Sequence, residues 1–315
     1  MSNHEVNIAL IGLGTIGTGV VRILMDNQDL IRRKTGLRLR LRHAVDIDPS
    51  RGEALGLPDG VFHTDVNRVI ADESVSVAIE LIGGTRIAAE ITEKLLRAGK
   101  DVVTANKALL AECGKELYAT ARKHNRCIAF EASCCGGIPL VSAIRSGLPA
   151  NHISAMYGIV NGTCNYILSA MSNEGKDYDV ALKEAQQAGF AEADPTLDIN
   201  GSDSAHKLAI LASLAFGCQI DYDKIAFTGI EDLNLEDIRY GQEMGYAIKL
   251  LAIAEQTDQG LSLRIHPSFI SVSDPLAQVN GSFNAMSIFG DEVGHTLYYG
   301  RGAGMMPPPV LWWPM

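Results

Sequence analysis

A stretch rich in carboxylates, residues 189–208, leads into an apolar helix and holds the residues best suited to acid–base chemistry. Asp203 and Lys207 stand four residues apart, so they share one face of a helix, where they either form an ion pair or face a pocket together. An exposed pair of this kind stabilises a helix by only about a few tenths of a kcal/mol. The leucines and isoleucine around this pair predict a largely buried helix, and buried charges require partners or a purpose. The spacing therefore favours a functional pair over a surface pair.

A glycine pattern near the N-terminus predicts a dinucleotide site. Gly12, Gly14 and Gly17 follow a short apolar run and open a segment with helical periodicity. The first glycine permits a tight turn, the second lets the backbone approach a pyrophosphate, and the third allows close packing of helix and strand. The helix N-terminus at Thr15 and Ile16 offers N–H groups and a positive dipole to the phosphates.

An acidic residue at the end of the second predicted strand bears on the choice of coenzyme. Asp46 lies in the apolar run 39–47, at a place where a carboxylate can bond the 2′-hydroxyl of the adenosine ribose. This favours NAD over NADP. Arg51 or Arg42 could instead swing onto a 2′-phosphate, because a guanidinium binds phosphate well. The sequence therefore leaves both coenzymes open.

The first half of the chain alternates apolar runs with helix-like segments. We predict a strand from Val6 and further strands over residues 39–47, 75–82, 101–105 and 126–131, with amphipathic helices over 87–98 and 108–124. Strands that alternate with helices indicate a parallel sheet covered on both faces. We therefore expect an α/β fold, with a Rossmann-type dinucleotide-binding domain over residues 1–137.

The pattern changes after Pro139. We predict helices over residues 139–146, 163–174, 179–188 and 201–216, the last ending at Gly217, and strands over 152–160, 246–254, 261–270 and 293–299. This mixture indicates a second, α+β domain over residues 138–304 with a largely antiparallel sheet. An atypical Pro-rich tail follows over residues 305–315.

The composition is that of a folded protein without a nucleic-acid or membrane partner. Hydrophobic residues make up 47% and charged residues 20%, close to the globular norm. The net charge is -10, and wrapping a phosphate backbone needs a basic face. The basic residues at 32–34 and 38–42 fit the solvated end of a helix and an edge strand. No apolar run reaches the ~20 residues of a membrane span and no signal-peptide core is present, so we expect a cytoplasmic location.

The six cysteines have no zinc-binding spacing. They stand singly or as a vicinal pair in apolar surroundings, at Cys113, Cys127, Cys134, Cys135, Cys164 and Cys218. We expect buried free thiols, as in proteins of a reducing compartment.

Several motifs occur in a fixed order along nearly the whole chain. They are GLGTIG at 12–17, TANKALL at 104–110, FEA at 130–132, GGIP at 136–139, GIVNGTCNYI at 158–167, the stretch 192–207 and GRGAG at 300–304. Together they resemble the homoserine dehydrogenase family. The resemblance implies an NAD(P)-dependent oxidoreductase that interconverts L-homoserine and L-aspartate 4-semialdehyde, in the biosynthesis of threonine, methionine and isoleucine.

The resemblance also implies roles for individual residues. Lys207 is the proton donor and acceptor on the homoserine hydroxyl, Asp203 orients the substrate beside it, and Glu192 holds the substrate amino group. Lys107 lies at the nicotinamide end of the site. The substrate carboxylate suits the helix N-terminus at Asn161, Gly162 and Thr163. The implied coenzyme contacts are Gly12, Gly14, Thr15, Ile16, Gly17, Asp46, Thr85, Lys107 and Gly302.

The chemistry is consistent with a lysine in this role. Oxidising an alcohol removes its proton while hydride leaves the adjacent carbon, so a base must lie ~2.6–3.2 Å from that oxygen. An unperturbed lysine, with a pKa of ~10.4, is a poor base near neutrality. We expect burial and a second lysine, Lys107, to lower the pKa of Lys207. Asp194 and Asp198 are expected to cap and shape the loop before the helix.

Two further features follow from the resemblance. Glu131 and the backbone carbonyls near Cys134, Gly136 and Ile138 resemble the family's site for a monovalent cation, sodium, which oxygen ligands suit. The resemblance also implies a homodimer formed through the sheet of the second domain.

The tail departs from the family pattern. After GRGAGMM the family continues with a small-residue helix, whereas residues 307–315 hold four prolines and cannot form it. We expect this change to weaken coenzyme binding and stability. No feedback control by threonine through a C-terminal regulatory domain is expected.

Two alternatives remain at this point. One is another amino acid or semialdehyde oxidoreductase, which would need a nucleophilic cysteine such as Cys164. The other is a poorly active or non-catalytic nucleotide-binding relative, whose altered tail abolishes turnover.

Overall fold

A computed structural model describes residues 4–302, which fall into two compact units. The first takes residues 4–133 and the second residues 134–302 of this range. Each unit contains one six-stranded sheet. The division falls close to the predicted boundary at residue 137, and the Pro-rich tail over residues 305–315 lies outside the described residues.

The sheet of the first unit is parallel throughout. Its strands are β1 (His4–Ile11), β2 (Leu37–Val45), β3 (Phe62–His63), β4 (Val75–Glu80), β5 (Asp101–Thr104) and β6 (Ile128–Ala129), in the spatial order β3-β2-β1-β4-β5-β6. The helices are α1 (Thr15–Asp26), α2 (Gln28–Thr35), α3 (Pro49–Ala54), α4 (Asn67–Ala71), α5 (Arg86–Arg97) and α6 (Lys107–Lys123). The strand order reverses direction between β1 and β4, which is the switch point where dinucleotides bind in such sheets.

The central strand explains why this unit folds as predicted. Ile8, Ala9 and Leu10 in β1 are all 0% exposed, as expected for a strand covered on both faces. Val20, Val21 and Leu24 present the apolar face of α1 to the same core. The predicted Rossmann-type α/β architecture is confirmed.

One predicted position in this sheet is wrong. The basic strand β2 is not the edge strand, because β3 pairs with it at Ala44 and Val45. The two-residue β3 is too short to leave a recognisable pattern in the sequence. The arginines of β2 lie beyond the reach of β3 and are exposed, as expected for a solvated surface.

The sheet of the second unit is mostly antiparallel. Its strands are β7 (Ile153–Ile159), β8 (Ala226–Phe227), β9 (Tyr246–Thr257), β10 (Gly260–Ser271), β11 (Phe283–Gly290) and β12 (Gly294–Arg301), in the order β12-β11-β7-β9-β10-β8. Only the short pairing of β8 with β10 is parallel among the strands described. The helices are α7 (Leu140–Ser142), α8 (Gly162–Glu174), α9 (Tyr178–Gln187), α10 (Thr196–Ile199), α11 (Ser202–Phe216) and α12 (Leu235–Glu243).

Most predicted elements of the second unit are present, and the predicted α+β architecture is confirmed. The helix predicted over residues 139–146 is present, as α7 over three residues followed directly by a π-helix over Ala143–Gly147. β11 was not predicted, yet it lies between β7 and β12 and is mostly buried. Gly217 ends α11 in the left-handed conformation at φ 63°, as predicted.

Among residues 4–302, no helix is both long and apolar enough to cross a membrane.

Candidate active site

The glycine-rich turn joins β1 to α1 in the first unit. Gly12 has a φ of 97°, and a Cβ atom there would lie 2.6 Å from the carbonyl oxygen of Leu81. A side chain at Gly17 would collide with the carbonyl of Gly12. At Gly14 a Cβ would meet only the Arg51 guanidinium, at 3.9 Å. The turn is therefore packed tightly on the protein side and open above Gly14, as close approach by a pyrophosphate requires.

The N-terminus of α1 faces this opening without a side-chain cap. The N-cap position is Gly14, which has no side chain to accept a hydrogen bond from the first turn at Thr15 and Ile16. Uncapped N–H groups and the helix dipole are suited to bind phosphate oxygens. These residues thus fit the phosphates of NAD or NADP.

Asp46 lies directly after β2, beside the glycine-rich turn. Its Oδ2 accepts the N–H of Leu13 at 2.7 Å and its Oδ1 accepts the N–H of Asp48 at 3.0 Å. Burial raises the pKa of Asp46, but these bonds and the charge of Arg51 outweigh that effect and hold the pKa below its usual value. The carboxylate is therefore ionised and held next to the phosphate-binding turn.

Both predicted determinants of coenzyme choice meet at this point. The Nη1 of Arg51 lies 3.1 Å from Oδ2 of Asp46. Arg42, the other predicted candidate, instead pairs with Asp72 at 3.4 Å. Asp46 and Arg51 therefore lie together beside the glycine-rich turn, and their part in the choice of coenzyme stays a prediction.

Thr85 and Lys107 follow the carboxyl ends of neighbouring strands. Thr85 occupies the N-cap position of α5, after β4, and Lys107 is the first residue of α6, after β5. The Oδ1 of Asn106 caps α6 by accepting the N–H of Leu109 at 3.1 Å. Their contacts with coenzyme stay predictions.

In the second unit, Asp203 and Lys207 form a buried ion pair. The Nζ of Lys207 lies 2.6 Å from Oδ2 of Asp203 and donates to the carbonyl oxygen of Val160 at 2.7 Å. The side chain of Asp203 is only 7% exposed and that of Lys207 only 13%. The alternative of a surface pair is therefore wrong.

Asn161 connects this pair to a second carboxylate. Its amide Nδ2 donates to Oδ2 of Asp203 at 2.9 Å and to Oδ1 of Asp198 at 2.8 Å. The hydroxyl of Thr163 lies 3.3 Å from Oδ2 of Asp198 and donates to the carbonyl of Phe190 at 2.6 Å. The α8 N-terminus and the start of α11 are thus joined through side chains.

Asp198 makes contacts beyond the loop that it was expected to cap and shape. Its side chain belongs to the cluster around Asn161, whereas Asp194 bonds the hydroxyl of Thr196 at 2.6 Å within the loop itself, as predicted. Both carboxylates precede the same helix, and the sequence offers no signal that separates them. The difference depends on α8, which brings Asn161 to Asp198 alone.

The expected direction of the Lys207 pKa is also wrong for the free protein. Burial does lower the pKa, but the negative charges of Asp203 and Asp198 and the hydrogen bond from Lys207 to Asp203 more than compensate. The pKa of Lys207 is therefore held above its ordinary value. The ammonium form of Lys207 is therefore favoured in the free protein.

Other predicted substrate and coenzyme residues occupy distinct places. Glu192 is exposed between α9 and α10, and among the described residues its carboxylate has no recorded contact with the Lys207 cluster. Gly162 begins α8, where a Cβ would lie 2.9 Å from the carbonyl oxygen of Ser282. Gly302 follows β12, and a Cβ there would lie 2.7 Å from Nδ2 of Asn284. Both glycines are required by close packing.

Asn284 is a site neighbour that the sequence did not indicate. It is 1% exposed, and its Nδ2 lies 3.4 Å from the Val160 carbonyl that Lys207 also contacts. Its Oδ1 is a buried acceptor without a partner among the described residues. Since β11 itself was not predicted, nothing in the sequence could place this residue near Lys207.

The predicted cation ligands lie where one unit ends and the next begins. Glu131 starts a 3-10 turn at the end of the first unit, and Cys134, Gly136 and Ile138 belong to the second. The Ile138 carbonyl accepts the N–H of Leu140 at 2.8 Å. Within residues 4–302, no cluster of three or more His, Cys, Asp or Glu side chains could hold a metal ion. A cation here would depend on backbone carbonyls.

All six cysteines are free, but not all are buried. Cys134, Cys135 and Cys164 are buried, whereas Cys127 and Cys218 are exposed and Cys113 is intermediate. The prediction of six buried thiols is therefore wrong. Burial raises the pKa of Cys164 well above its usual value, and its thiol donates to the carbonyl of Asp198 at 3.2 Å. A protonated, buried thiol is a poor nucleophile, which disfavours the alternative based on Cys164.

Comparison with known proteins agrees with this geometry. The family model for the NAD binding domain of homoserine dehydrogenase matches residues 12–131, and the model for homoserine dehydrogenase matches residues 139–308. The homoserine dehydrogenase of Neisseria gonorrhoeae is 45% identical over 302 residues, which cover 96% of this chain and 69% of that protein.

Solved structures give the same result. A homoserine dehydrogenase from Thiobacillus denitrificans superposes with a TM-score of 0.94 at 43% identity, covering 98% of this chain and 72% of the other. A hyperthermophilic archaeal homoserine dehydrogenase in complex with NADPH superposes with a TM-score of 0.79 at 25% identity, covering 97% and 94%. The resemblance found in the sequence is confirmed.

Proposed function

This chain belongs to the homoserine dehydrogenase family, and we propose that Lys207 carries its chemistry as proton donor and acceptor. The family interconverts L-homoserine and L-aspartate 4-semialdehyde with NAD or NADP, an oxidoreductase reaction of amino-acid biosynthesis. The observation that supports the role of Lys207 is its buried contact with Asp203, at 2.6 Å. The two alternatives, a truncated and poorly active nucleotide-binding relative or another amino acid or semialdehyde oxidoreductase, are not favoured.

The protonated state of Lys207 suits the reduction of the aldehyde. Its ammonium donates a hydrogen bond to the carbonyl oxygen, and the proton moves to that oxygen as hydride reaches the carbon. In the opposite direction, neutral Lys207 accepts the hydroxyl proton of homoserine while hydride leaves the same carbon. Bound NAD(P) supplies the hydride acceptor or donor.

Asp203 and Val160 hold Lys207 in a fixed position. Among the described residues, Asp203 and Val160 accept two of the three N–H groups of the ammonium, and we assign the third to substrate. Asn161 fixes Asp203 in turn through its amide. We assign Asp203 to orient the substrate hydroxyl beside the ammonium, as the resemblance implied.

The amino acid end of the substrate needs charges of both signs. We assign Glu192 to the substrate ammonium, as the resemblance implied, and add Asp198, whose carboxylate lies 2.8 Å from the Asn161 amide. The N-terminus of α8 at Gly162 and Thr163 offers N–H groups to the substrate carboxylate. These assignments remain to be tested.

The coenzyme site follows from the first unit. We assign the pyrophosphate to Gly12, Gly14, Thr15, Ile16 and Gly17, the adenosine ribose to Asp46, and the nicotinamide end to Thr85 and Lys107. Gly302 of the second unit is retained as a further contact. We also retain sodium binding by Glu131 and the carbonyls of Cys134, Gly136 and Ile138 as a proposal.

The division of labour and the assembly are also proposals. We assign coenzyme binding to the first unit and substrate binding and dimerisation to the second. Leu297 and Tyr299 on the edge strand β12 are 40% and 56% exposed, and a second copy of the chain would cover them. The six free cysteines support a cytoplasmic location.

One assay tests this function most directly: steady-state oxidation of L-homoserine with NAD and NADP side by side. We expect reduced coenzyme to form only when homoserine is present. Coenzyme binding without homoserine-dependent reduction would contradict the proposed activity. The ratio of kcat/KM for the two coenzymes measures the contribution of Asp46 and Arg51 in the same experiment.

A further inference from the structure

We propose that Glu80, Thr104 and Asn106 form a closed hydrogen-bonded ring that positions the nicotinamide half of the coenzyme. None of the three touches the reacting atoms in this proposal, so they are positioning residues. The inference rests on the coenzyme site proposed above and names the residues that hold its nicotinamide end in place.

The ring joins the ends of two neighbouring strands. Ile82 donates its N–H to Oε1 of Glu80 at 2.7 Å, and the Thr104 hydroxyl donates to Oε2 at 2.6 Å. The N–H of Asn106 donates to Oγ1 of Thr104 at 3.0 Å, and the Asn106 amide donates to the carbonyl of Ile82 at 3.2 Å. Four hydrogen bonds therefore close a circuit between β4 and β5.

The ring is buried and contains a carboxyl group that packing alone does not need. Glu80 and Thr104 are both 0% exposed. Burial holds the pKa of Glu80 above its ordinary value, although the hydrogen bonds from Thr104 and Ile82 act in the opposite direction. Among the described residues, the Glu80 carboxyl group accepts hydrogen bonds from a backbone N–H and a hydroxyl, not from a cation. Since an apolar pair would fill such a position at lower cost, this carboxylate indicates a purpose beyond stability.

The position of the ring in the sheet connects it to the coenzyme. It lies at the carboxyl ends of β4 and β5, beyond which ligands of doubly wound sheets bind. β4 lies next to β1, and Leu81 donates its N–H to the carbonyl of Ile11 at 2.8 Å, directly before the glycine-rich turn. Asp46, at the end of β2, places the adenosine half on the other side of β1. The nicotinamide half therefore falls on the side of β4 and β5.

The ring also fixes the two residues assigned to the nicotinamide end. The Asn106 amide donates to the carbonyl of Gly84 at 2.6 Å, which holds the loop directly before Thr85. The same side chain caps α6, whose first residue is Lys107. Loss of the ring would free both segments at once and leave the glycine-rich turn intact.

A comparison of two ligands tests the proposal. We would measure Kd for NADH and NADPH, and Kd for ADP and its 2′-phosphorylated form, which represent the adenosine half alone. In Thr104→Val and in Glu80→Gln we expect the dinucleotides to bind about 10-fold more weakly, since a hydrogen bond to the buried Glu80 carboxyl group is lost or weakened. ADP binding should stay within about 2-fold of wild type.

Thr92 provides a matched control. It is also a 0% exposed threonine of the first unit, but its hydroxyl has no partner among the described residues. Thr92→Val should therefore leave the Kd of the dinucleotides and the Kd of ADP unchanged. Thr104→Ser, which keeps the hydroxyl, should restore the dinucleotide Kd to near the wild-type value.

The outcomes separate this proposal from the function on which it rests. If Thr104→Val weakened the binding of ADP and of the dinucleotides equally, the role of the ring would be merely structural. If the binding of both were unchanged, the ring would have no role. Either result would overturn the proposal. If Thr104→Val does not fold, Glu80→Gln, which keeps the side-chain size, allows the same comparison between the Kd of the dinucleotides and the Kd of ADP. Failure of the wild-type chain to bind any of these ligands would instead overturn the coenzyme site itself.

Discussion

Nζ of Lys207 lies 2.6 Å from Oδ2 of Asp203, one helical turn earlier in α11, and both side chains are nearly buried. The Asn161 amide donates to the same Oδ2 at 2.9 Å. Asp203 is thus held on two sides, and it stabilises the ammonium form of Lys207. This relationship holds the pKa of Lys207 above its ordinary value.

Replacement of Lys207 should abolish most of the turnover. In Lys207→Ala we expect kcat to fall by at least ~10²-fold, the usual contribution of a general acid or base. Coenzyme binding should change little, because the proposed coenzyme contacts lie mainly in the first unit. Steady-state kinetics and NADPH binding measure the two effects separately.

Two variants control for a loss of structure. Removal of Lys207 leaves Asp203 without its cation, so Lys207→Arg keeps the positive charge while removing a titratable base. We expect it to be nearly as inactive as Lys207→Ala. Lys224→Ala, at a side chain that is 83% exposed, should behave as wild type. Turnover close to the wild-type rate in Lys207→Arg would refute the proposed role.

The pH dependence of the two reaction directions should be opposite. Because the pKa of Lys207 is held above its ordinary value, the neutral amine needed for homoserine oxidation becomes more abundant as pH rises. We expect kcat/KM for oxidation to increase into the alkaline range. Reduction of the semialdehyde uses the ammonium form and should decline there.

Asp203→Asn tests the cause of this behaviour. Loss of the carboxylate charge lets burial lower the pKa of Lys207, so the rising limb of the oxidation profile should move to lower pH. The profile is measured as relative rates, which separates the shift from any loss of kcat. An unchanged limb would mean that another group controls the profile.

Coenzyme preference should depend on Asp46 and Arg51. Asp46→Ser removes the charge that repels a 2′-phosphate and leaves the Arg51 guanidinium without its 3.1 Å partner. We expect the ratio of kcat/KM for NADP over NAD to rise by about 10-fold or more. Arg51→Ala should lower the same ratio.

Arg42→Ala is the control for this pair. Its guanidinium lies 3.4 Å from Asp72 rather than near Asp46. The ratio should therefore be unaffected. A ratio that changes in Arg42→Ala as much as in Arg51→Ala would argue against the proposed discrimination.

Lys249 should make stability depend on pH. This lysine of β9 is 3% exposed and bonds only neutral acceptors, Asn165, Val279 and Asn280, among the described residues. Burial lowers its pKa to about 8. Between that pH and the unfolded pKa of ~10.4, the unfolded chain binds more protons, so this residue's contribution to the free energy of unfolding rises with pH.

Urea unfolding at two pH values measures the effect. Relative to Lys249→Met, wild type should gain on the order of 1 kcal/mol between pH ~8 and ~9.5. Lys183→Met, at an exposed position of α9, should show no such difference. If the difference in the free energy of unfolding between wild type and Lys249→Met stayed constant across this pH range, the result would contradict a lowered pKa of Lys249.

The sequence predicted those features that local patterns encode. The glycine spacing at residues 12–17 required a strand, a turn and a helix, because each glycine answers a local steric demand. The separation of Asp203 and Lys207 by four residues placed them on one helical face. The apolar runs likewise predicted most strands and helices.

The tertiary structure decided which polar groups meet. Asn161 and Asp203 are separated by 42 positions, and Asp198 and Asp194 look equivalent in the chain until α8 brings Asn161 to only one of them. The short β3 and the buried β11 also escaped prediction, since their positions depend on pairing with distant strands.

By itself, the sequence determined the family, the two kinds of sheet and the pairing of Asp203 with Lys207. Only the folded chain decided the electrostatic state of that pair. Burial alone predicted a lowered pKa for Lys207, but a pKa depends on every charge within a few ångströms. Asp203 and Asp198 lie close enough to reverse its direction, and no pattern in the sequence encodes that distance.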